Sequence, residues 1–217
     1  MDWEHARYLL VEQQIRPWEV LDQQVLQRVL AVKREDFVPQ DKRNLAFVDT
    51  ELPLGHGASM LSPKVEARLL QDVELKSGDK VLVVGAGTGY LVALAAGLCA
   101  QVYGVEIEPE LKRAAEENLA RAGIRNARIE LGDGVQGLAA QAPFDAIIVT
   151  GSVAEVPQAL KDQLAVGGRL IAVVGELPIM SATLLQRVEQ NAWRSEKRFE
   201  YNLPRLKNTP VAEAFSF

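Results

Sequence analysis

One segment of the chain combines residue types and spacing that could bind a nucleotide-like ligand. Residues 85–89 (Gly-Ala-Gly-Thr-Gly) stand between the apolar run 81–84 and a helix-like run, 91–98. This order predicts a strand, a glycine turn and a helix start, against which such a ligand can lie close to the backbone. Glu106 ends the next apolar run, about 20 residues after the first glycine, where an acid can accept hydrogen bonds from two ribose hydroxyls. A solvated carboxylate at a strand end is the alternative interpretation of Glu106.

The spacing of the glycines separates two classes of nucleotide-binding turn. A dinucleotide fingerprint reads G-x-G-x-x-G, with a small residue at the position that Tyr90 occupies here. The third glycine is instead Gly89, which gives G-x-G-x-G, the usual turn of S-adenosylmethionine-dependent methyltransferases. We therefore expect S-adenosylmethionine as the cofactor, and the pattern argues against an NAD-dependent dehydrogenase. The cofactor-binding residues predicted in this turn are Gly85, Ala86, Gly87 and Gly89.

Two further polar segments follow predicted strands. Asp133 and Gly134 belong to a Gly-Asp-Gly sequence after the third strand of this region. Asp133 either accepts the adenine amino group of the cofactor, or closes a tight turn by bonding its own backbone. Residues 150–152 (Thr-Gly-Ser) either line the same crevice or form a polar loop. Because open parallel sheets bind ligands at the carboxyl ends of their strands, we expect Gly85, Glu106 and Asp133 to face one crevice.

The elements that must position these residues are strands and helices in alternation. From about residue 79 this alternation predicts a mainly parallel sheet with right-handed crossovers. The predicted strands are 80–84, 101–106, 127–131, 144–149 and 168–174, and the predicted helices are 63–72, 89–98, 109–122 and 155–164. Residues 182–189 and 193–201 are predicted to form two antiparallel strands.

The N-terminal part of the chain has a different pattern. Residues 2–40 are predicted to be helical, because their apolar residues recur at three- and four-residue steps. Residues 41–62 show no clear period and are predicted to form an ordered loop. Ser62 is predicted to cap a helix that begins at Pro63. We see no linker, and the expected architecture is one α/β domain, 1–217, composed of an N-terminal helical and substrate-loop region, 1–62, and a doubly wound Rossmann-like core, 63–217.

The overall composition excludes several classes of protein. The 217 residues are 48% hydrophobic and 24% charged, as in ordinary globular domains. A net charge of −5 argues against a nucleic-acid partner, which needs clustered positive charge. No apolar run reaches the roughly 20 residues of a membrane helix, and no signal-peptide pattern is present, so we expect a cytoplasmic protein. One cysteine, Cys99, and two histidines, His5 and His56, give no predicted metal site.

Several segments resemble one family, the protein-L-isoaspartate O-methyltransferases, and the likeness covers nearly the whole chain. The segments include 36–39 (Asp-Phe-Val-Pro), 52–57 (Leu-Pro-Leu-Gly-His-Gly), 102–106 (Val-Tyr-Gly-Val-Glu), 132–134 (Gly-Asp-Gly), 142–150 and 167–170. The resemblance implies methyl esterification of the carboxylate of isoaspartyl residues in damaged proteins or peptides. It also implies that Ser59 and the backbone around His56, the two predicted catalytic positions, orient that carboxylate. A loop hydrogen-bonder is the alternative role for His56.

The chain departs from the family pattern close to the expected chemistry. Where the family reads Gln-Thr-Ile-Ser-Gln-Pro, residues 58–63 read Ala-Ser-Met-Leu-Ser-Pro. Ser59 keeps a hydroxyl at the threonine position, but Leu61 replaces the serine credited with the key active-site role. Val83 stands where an acid usually helps to hold the methionine end of the cofactor. Two alternatives follow: a methyltransferase with a different acceptor, and a catalytically silent protein that binds the cofactor.

The implied reaction limits what these departures can do. A methyl group passes in line from a sulfonium to a carboxylate oxygen, and a carboxyl with an ordinary pKa near 4 is already ionised at neutral pH. No general base is required, so catalysis comes mainly from orientation, proximity and desolvation. Loss of one hydroxyl donor to a charged group removes about 1.5–3 kcal/mol, or roughly one to two decades of rate. Leu61 therefore weakens the site without abolishing the chemistry.

Overall fold

The computed structural model describes residues 2–209. Its α-helices are α1 (Trp3–Leu10), α2 (Gln23–Ala31), α3 (Pro63–Val73), α4 (Tyr90–Ala96), α5 (Pro109–Arg121) and α6 (Gln158–Asp162). Its strands are β1 (Leu52–Gly55), β2 (Ala58–Met60), β3 (Lys80–Val84), β4 (Gln101–Glu106), β5 (Ala127–Leu131), β6 (Phe144–Val153), β7 (Leu164–Glu176), β8 (Ile179–Glu189) and β9 (Ala192–Glu200).

Seven strands form the central sheet, in the order β5-β4-β3-β6-β7-β8-β9. Strands β5 to β7 in this order are parallel to one another, and β8 and β9 continue the sheet as antiparallel strands. The chain runs outward from β3 in both directions, so the strand order reverses between β3 and β6. The predicted doubly wound, mainly parallel α/β fold is confirmed. A reversal of this kind leaves a crevice at the carboxyl ends of the two middle strands.

The middle of the sheet is covered on both faces. Residues 81–84 of β3 are all 0% exposed, which explains why this strand is uniformly apolar instead of alternating. Helix α4 lies against the sheet with all seven of its residues buried. The glycine turn between β3 and α4 is therefore held by a rigid strand on one side and a buried helix on the other.

The N-terminal cap consists of α1, a π-helical turn at Val11–Ile15, α2 and short 3-10 turns. A buried arginine, Arg34, ties this cap to the rest of the domain. It donates hydrogen bonds to the backbone oxygens of Ala46 (2.9 Å) and Leu61 (2.6 Å) and forms an ion pair with Glu66 of α3. The cap and the segment before α3 are thus fixed to each other by one side chain.

The structure corrects the prediction of a loop for residues 41–62. This segment contains a 3-10 turn, Gln40–Leu45, and an antiparallel hairpin, β1–β2. The two strands have only four and three residues, so there is too little alternation to read from the sequence. The reversal between them uses positive φ angles at Gly55 (87°), His56 (54°) and Gly57 (71°), two of which are glycines that adopt such angles easily.

Other corrections concern the ends of helices. Ser62 occupies the N-cap position and Pro63 the first helical position, as predicted, but the Ser62 hydroxyl makes no capping hydrogen bond. The helix predicted at 155–164 is shorter, because Leu164 already pairs with Phe144 in the sheet. Strand β7 consequently begins four residues before the predicted start. The helix predicted at 89–98 is confirmed in type and spans Tyr90–Ala96.

Candidate active site

A cleft lies where the strand order reverses, with about 760 Å³ of space between its walls. This space includes solvent at the open side of the cleft. Its walls come from the turn after β3, the chain after β4 and β5, the end of β6, the β1–β2 hairpin and the segment 204–207. Five of the seven predicted cofactor-binding residues line it: Gly85, Gly87, Glu106, Asp133 and Gly134.

The glycines of the turn form one wall of the cleft, and no side chain projects from them into it. Gly85 and Gly87 have positive φ angles of 81° and 55°, and a Cβ atom at Gly85 would clash with the hydroxyl of Thr150. That hydroxyl lies 2.9 Å from the backbone oxygens of Val84 and Gly85 and shares its one hydrogen between them, so it closes the turn onto β6. The remaining predicted residues of this turn, Ala86 and Gly89, do not line the cleft; Gly89 allows close packing of the turn on α5.

Glu106 is held by the backbone on both sides of its carboxylate. One oxygen, Oε2, accepts from the Gly87 N–H (2.7 Å), and the other, Oε1, accepts from the Glu108 N–H (3.0 Å). The residue is only 5% exposed, so the interpretation as a solvated carboxylate is wrong. A carboxylate has about four acceptor positions, and two of them are therefore left for hydroxyl donors in the cleft. This arrangement fits the ribose of a nucleoside.

Asp133 both closes a tight turn and lines the cleft. Its Oδ1 accepts from the Val135 N–H (3.0 Å), which closes a tight turn, and the residue also lines the cleft. Its Oδ2 accepts from the Asn208 side-chain amide (3.1 Å). Of the Thr-Gly-Ser segment, Thr150 and Gly151 line the cleft, whereas residue 152 is fully buried and bonds the backbone of the segment after β9.

The β1–β2 hairpin supplies the opposite wall. Ser59 is exposed and lines the cleft, and Leu61 lines it with only 5% of its surface exposed. Glu51, half-buried before β1, lines the same region. Burial raises the pKa of Glu51, and the neighbouring Tyr201 hydroxyl works in the opposite direction. The end of the cleft beside the hairpin is thus partly apolar and carries one carboxyl group.

His56 lies at the tip of the hairpin and is not among the residues that line the cleft. Its Nε2 is 2.9 Å from Glu110 Oε2, and its Nδ1 is 3.6 Å from Glu108 Oε2. These are the contacts of a loop hydrogen-bonder that joins the hairpin to the start of α5. The assignment of His56 as a catalytic residue stays a prediction.

Residues 204–207 cover one side of the cleft, and we call this segment the roof. It is the main feature of the site that the sequence did not indicate. The segment after β9 returns to the edge of the site, where the Ser152 N–H donates to Pro204 O and the Leu206 N–H donates to Ser152 O (2.9 Å each). Lys207 Nζ lies 2.5 Å from Glu108 Oε1 and lowers the pKa of that carboxyl. No local motif marks this segment, because its role depends on where the antiparallel strands return it.

Neither a metal-ligand cluster nor a membrane-spanning helix is found among the described residues. Within residues 2–209, no three His, Cys, Asp or Glu side chains are placed to share a metal ion. In the same part of the chain, no helix has the length and apolar character needed to cross a bilayer. Val83, at the position where the resembled family carries an acid, is fully buried in β3 and does not reach the cleft.

Comparison with known proteins agrees with this geometry. A family model described as protein-L-isoaspartate(D-aspartate) O-methyltransferase matches residues 6–201. The protein-L-isoaspartate O-methyltransferases of Methanoculleus marisnigri and Gloeobacter violaceus are 43% and 45% identical to the chain over 166 residues. These alignments cover 76% of the chain and 76% and 81% of the two relatives.

A solved structure shows the same fold with a ligand. It is a Plasmodium falciparum chain described as a beta-aspartate methyltransferase and crystallised with S-adenosyl-L-homocysteine. The match has a TM-score of 0.80 and 25% identity, and covers 93% of this chain and 98% of that one. With the family model spanning most of its length, this chain belongs to the protein-L-isoaspartate O-methyltransferase family.

Proposed function

We propose that the protein transfers the methyl group of S-adenosylmethionine to the free carboxylate of isoaspartyl residues in damaged proteins or peptides. One observation carries this proposal: a single cleft joins a nucleoside-type site at the carboxyl ends of β3 to β5 to the β1–β2 hairpin. The match of the family model to residues 6–201 supports the same activity. The cytoplasm is the proposed place of this reaction.

The cofactor is assigned to the half of the cleft that the strand ends form. Gly85 and Gly87 carry no side chain, so the cofactor can approach their backbone closely. Glu106 accepts hydrogen bonds from the two ribose hydroxyls, and the Asp133–Gly134 turn receives the adenine edge. When bound, S-adenosylmethionine supplies an electrophilic methyl group on a sulfonium. The protein's own contribution is to fix the direction from which an acceptor reaches that methyl group.

The acceptor is assigned to the half beside the hairpin. The Ser59 hydroxyl donates a hydrogen bond to the carboxylate and orients one of its oxygens. Leu61 and Leu206 exclude water from the reacting atoms, which strengthens the electrostatic interactions of the two charged reactants. Because the carboxylate is already ionised, no side chain has to remove a proton. The contacts of His56 with Glu108 and Glu110 hold the hairpin in place, so that the backbone around His56 can orient the carboxylate.

The methyl ester is the starting point for repair of the isoaspartyl residue, which takes place after the esterified peptide leaves the protein. The backbone nitrogen that follows the esterified residue attacks the ester carbonyl, and methanol leaves with the nitrogen's proton. The resulting succinimide then takes up water at either carbonyl, and one of the two openings gives a normal aspartyl residue. The protein therefore needs to catalyse only the first step.

A direct test measures methyl transfer from radiolabelled S-adenosylmethionine to an isoaspartyl peptide. The matched control is the same peptide with a normal aspartyl residue, and Leu61→Ser is assayed beside the wild type. Transfer by the wild type to the isoaspartyl peptide alone supports the proposal. Transfer only by Leu61→Ser contradicts it, because the natural site would then have been changed away from isoaspartate.

A second candidate function is methyl transfer to a less charged acceptor, and two residues of the cleft favour it. Leu61 is apolar where a carboxylate must dock, and Glu51 adds a carboxyl group to the same region. A neutral isosteric peptide with an isoasparaginyl residue distinguishes the two functions. Faster methylation of the amide peptide than of the carboxylate peptide would establish the second candidate.

A further inference from the structure

A carboxyl group in the acceptor half of the cleft has no cation beside it. Glu51 precedes β1, lines the cleft beside the hairpin and is half-buried, so it is within reach of a bound ligand. Among residues 2–209 the Glu51 carboxylate takes part in no ion pair, and its polar neighbour is the Tyr201 hydroxyl. Lys64, which also lies near Tyr201, is paired with Asp49 instead (2.6 Å).

The two cations that line the cleft are both paired with other acids. Arg205 forms an ion pair with Glu176 (2.6 Å), and Lys207 forms one with Glu108 (2.5 Å). Neither is paired with Glu51, so the described lining leaves the negative charge of this residue without compensation.

The remaining carboxylates of the lining differ from Glu51 in place and in partners. Glu106 and Asp133 accept hydrogen bonds from the protein, and Glu108 is paired with the roof. All three lie at or just after the carboxyl ends of β4 and β5, in the half assigned to the cofactor. Glu51 is therefore the lining carboxylate of the half assigned to the acceptor.

The energetics of this position favour a cation as its partner. An ionised carboxylate that is partly removed from water is stabilised by a cation beside it. Burial raises the pKa of Glu51, which is the effect expected of a carboxyl that lacks such a cation. The acceptor carboxylate brings a second negative charge into the same half of the cleft, and like charges repel. A cationic group that enters together with the acceptor offsets both charges at once.

We propose that Glu51 binds a lysine or arginine side chain that neighbours the isoaspartyl residue in the acceptor chain. This inference rests on the proposed function, and it names a substrate class within it: isoaspartyl sites with a basic neighbour. Glu51 is then a residue that determines specificity, because its charge attracts such acceptors and repels those with neutral or acidic neighbours.

The cofactor also brings an ammonium group, on its methionine moiety, and Val83 leaves that group without the acid that the resembled family carries. The chemistry of the two sources is the same, a cationic group beside a carboxylate. Two nucleosides separate them: S-adenosylhomocysteine has the amino-acid moiety, and 5′-methylthioadenosine lacks it. The affinities of both nucleosides are therefore measured for each variant.

The test measures binding of isoaspartyl peptides to the full chain saturated with S-adenosylhomocysteine, so that no turnover occurs. The peptides carry lysine directly before or directly after the isoaspartyl residue, or the neutral analogue norleucine, or glutamate, at the same positions. Wild type is compared with Glu51→Gln, which keeps the shape of the side chain without its charge. Glu200→Gln is the matched control, since Glu200 is an exposed acid of β9 that does not line the cleft.

We expect wild type to bind at least one lysine peptide about three- to tenfold more tightly than its norleucine counterpart. Glu51→Gln should lose this preference, and Glu200→Gln should keep it. Glu51→Lys should reverse it in favour of the glutamate peptide. A preference for lysine that survives in Glu51→Gln, or wild-type binding of isoaspartyl peptides without any such preference, would overturn the inference.

Failure of the proposed function gives a different result. If wild type binds none of the isoaspartyl peptides, the isoaspartyl activity itself is contradicted, and the role of Glu51 falls with it. If Glu51→Gln keeps the lysine preference but binds S-adenosylhomocysteine more weakly, with unchanged affinity for 5′-methylthioadenosine, the partner of Glu51 is the ammonium of the cofactor and the inference is overturned. Equal losses for the lysine and norleucine peptides in Glu51→Gln would show a structural role, with the same consequence.

Discussion

Position 61 is one of the positions at which this chain departs from the pattern of the family that it resembles. Leu61 is 5% exposed and places apolar surface in the half of the cleft that we assign to the acceptor. We predict that Leu61→Ser raises kcat/KM for an isoaspartyl peptide about tenfold, because one hydrogen bond to a charged group is restored. Steady-state kinetics test this, with Leu61→Ala as the control that removes bulk without adding a hydroxyl. An equal gain in both variants would assign the effect to space and not to the hydroxyl.

Glu51 predicts a pH dependence of acceptor binding. Burial raises the pKa of its carboxyl above the ordinary value of 4.5, so the group loses its proton as the pH rises through that higher value. The negative charge then repels the acceptor carboxylate, which is already ionised. KM for an isoaspartyl peptide should therefore rise as the pH increases through this raised pKa, and Glu51→Gln should flatten this rise. A steep rise that persists in Glu51→Gln would contradict the assignment.

The residues differ in how far the sequence could reveal them. The strand-end positions of Glu106 and Asp133 follow from a local rule, because each acid directly follows an apolar run. Glu51 and Arg205 reach the cleft through the hairpin and through the return of the chain after β9. No spacing in the sequence encodes these long-range contacts, so both residues become visible only in the fold.

At the scale of elements, Glu106 connects the glycine turn to the end of β4. We predict that Glu106→Gln weakens S-adenosylhomocysteine binding about ten- to hundredfold, since a charged acceptor of ribose hydroxyls and of the Gly87 N–H is lost. Glu130→Gln on the adjacent strand β5 is the matched control. Calorimetric titration measures both variants. Unchanged affinity in Glu106→Gln would contradict the assignment of the ribose hydroxyls to Glu106.

The Arg34–Glu66 ion pair joins the N-terminal cap to α3, with both side chains at most 3% exposed. Arg34→Leu leaves the Glu66 carboxyl buried without its partner and should lower the free energy of unfolding by about 3–5 kcal/mol. Arg16, paired with Glu12 on the surface, provides the control, and Arg16→Leu should lower it by less than about 1 kcal/mol. Urea denaturation measures both. Similar losses of unfolding free energy in the two variants would show that the buried ion pair contributes no more to stability than the exposed one.

Elements with a clear apolar pattern were predictable, and the short ones were not. Strand β3 follows from its uniformly apolar run, β5 from the alternation of its residues, and helices α3 and α5 from the helical spacing of their buried residues. The hairpin β1–β2 could not be predicted in this way, because its few buried residues, such as Leu52 and Met60, are too few to show a period. Its shape depends on the positive φ angles of the turn at 55–57 and on the Arg34 contact to the Leu61 backbone.

For the whole molecule, cofactor binding must be linked to stability. The cleft takes its walls from separate parts of the chain, so unfolding destroys it. At a free concentration of S-adenosylhomocysteine about one hundred times its Kd, the free energy of unfolding should increase by about 2.7 kcal/mol. For a domain of this size, Tm then rises by about 5–10 °C. NAD at the same concentration is the control, and an equal rise with NAD would contradict the assigned cofactor class.

The overall architecture was predictable because alternation of strands and helices restricts the topology to very few solutions. The family resemblance extended this prediction to the activity, and the match over residues 6–201 establishes the family. The division into an N-terminal region, 1–62, and a core, 63–217, stays a prediction. The structure adds the roof of the cleft, where Arg205 lies in a segment without any sequence motif.

The central claim is that the acceptor atom is a carboxylate oxygen of an isoaspartyl residue. The most direct measurement is to incubate wild-type protein with S-adenosylmethionine and an isoaspartyl peptide, and to locate the added methyl group by mass spectrometry. We predict a base-labile methyl ester on the isoaspartyl carboxyl, followed by succinimide and normal aspartyl peptide. No methylated peptide, or a base-stable methyl group elsewhere in it, would contradict the proposed function.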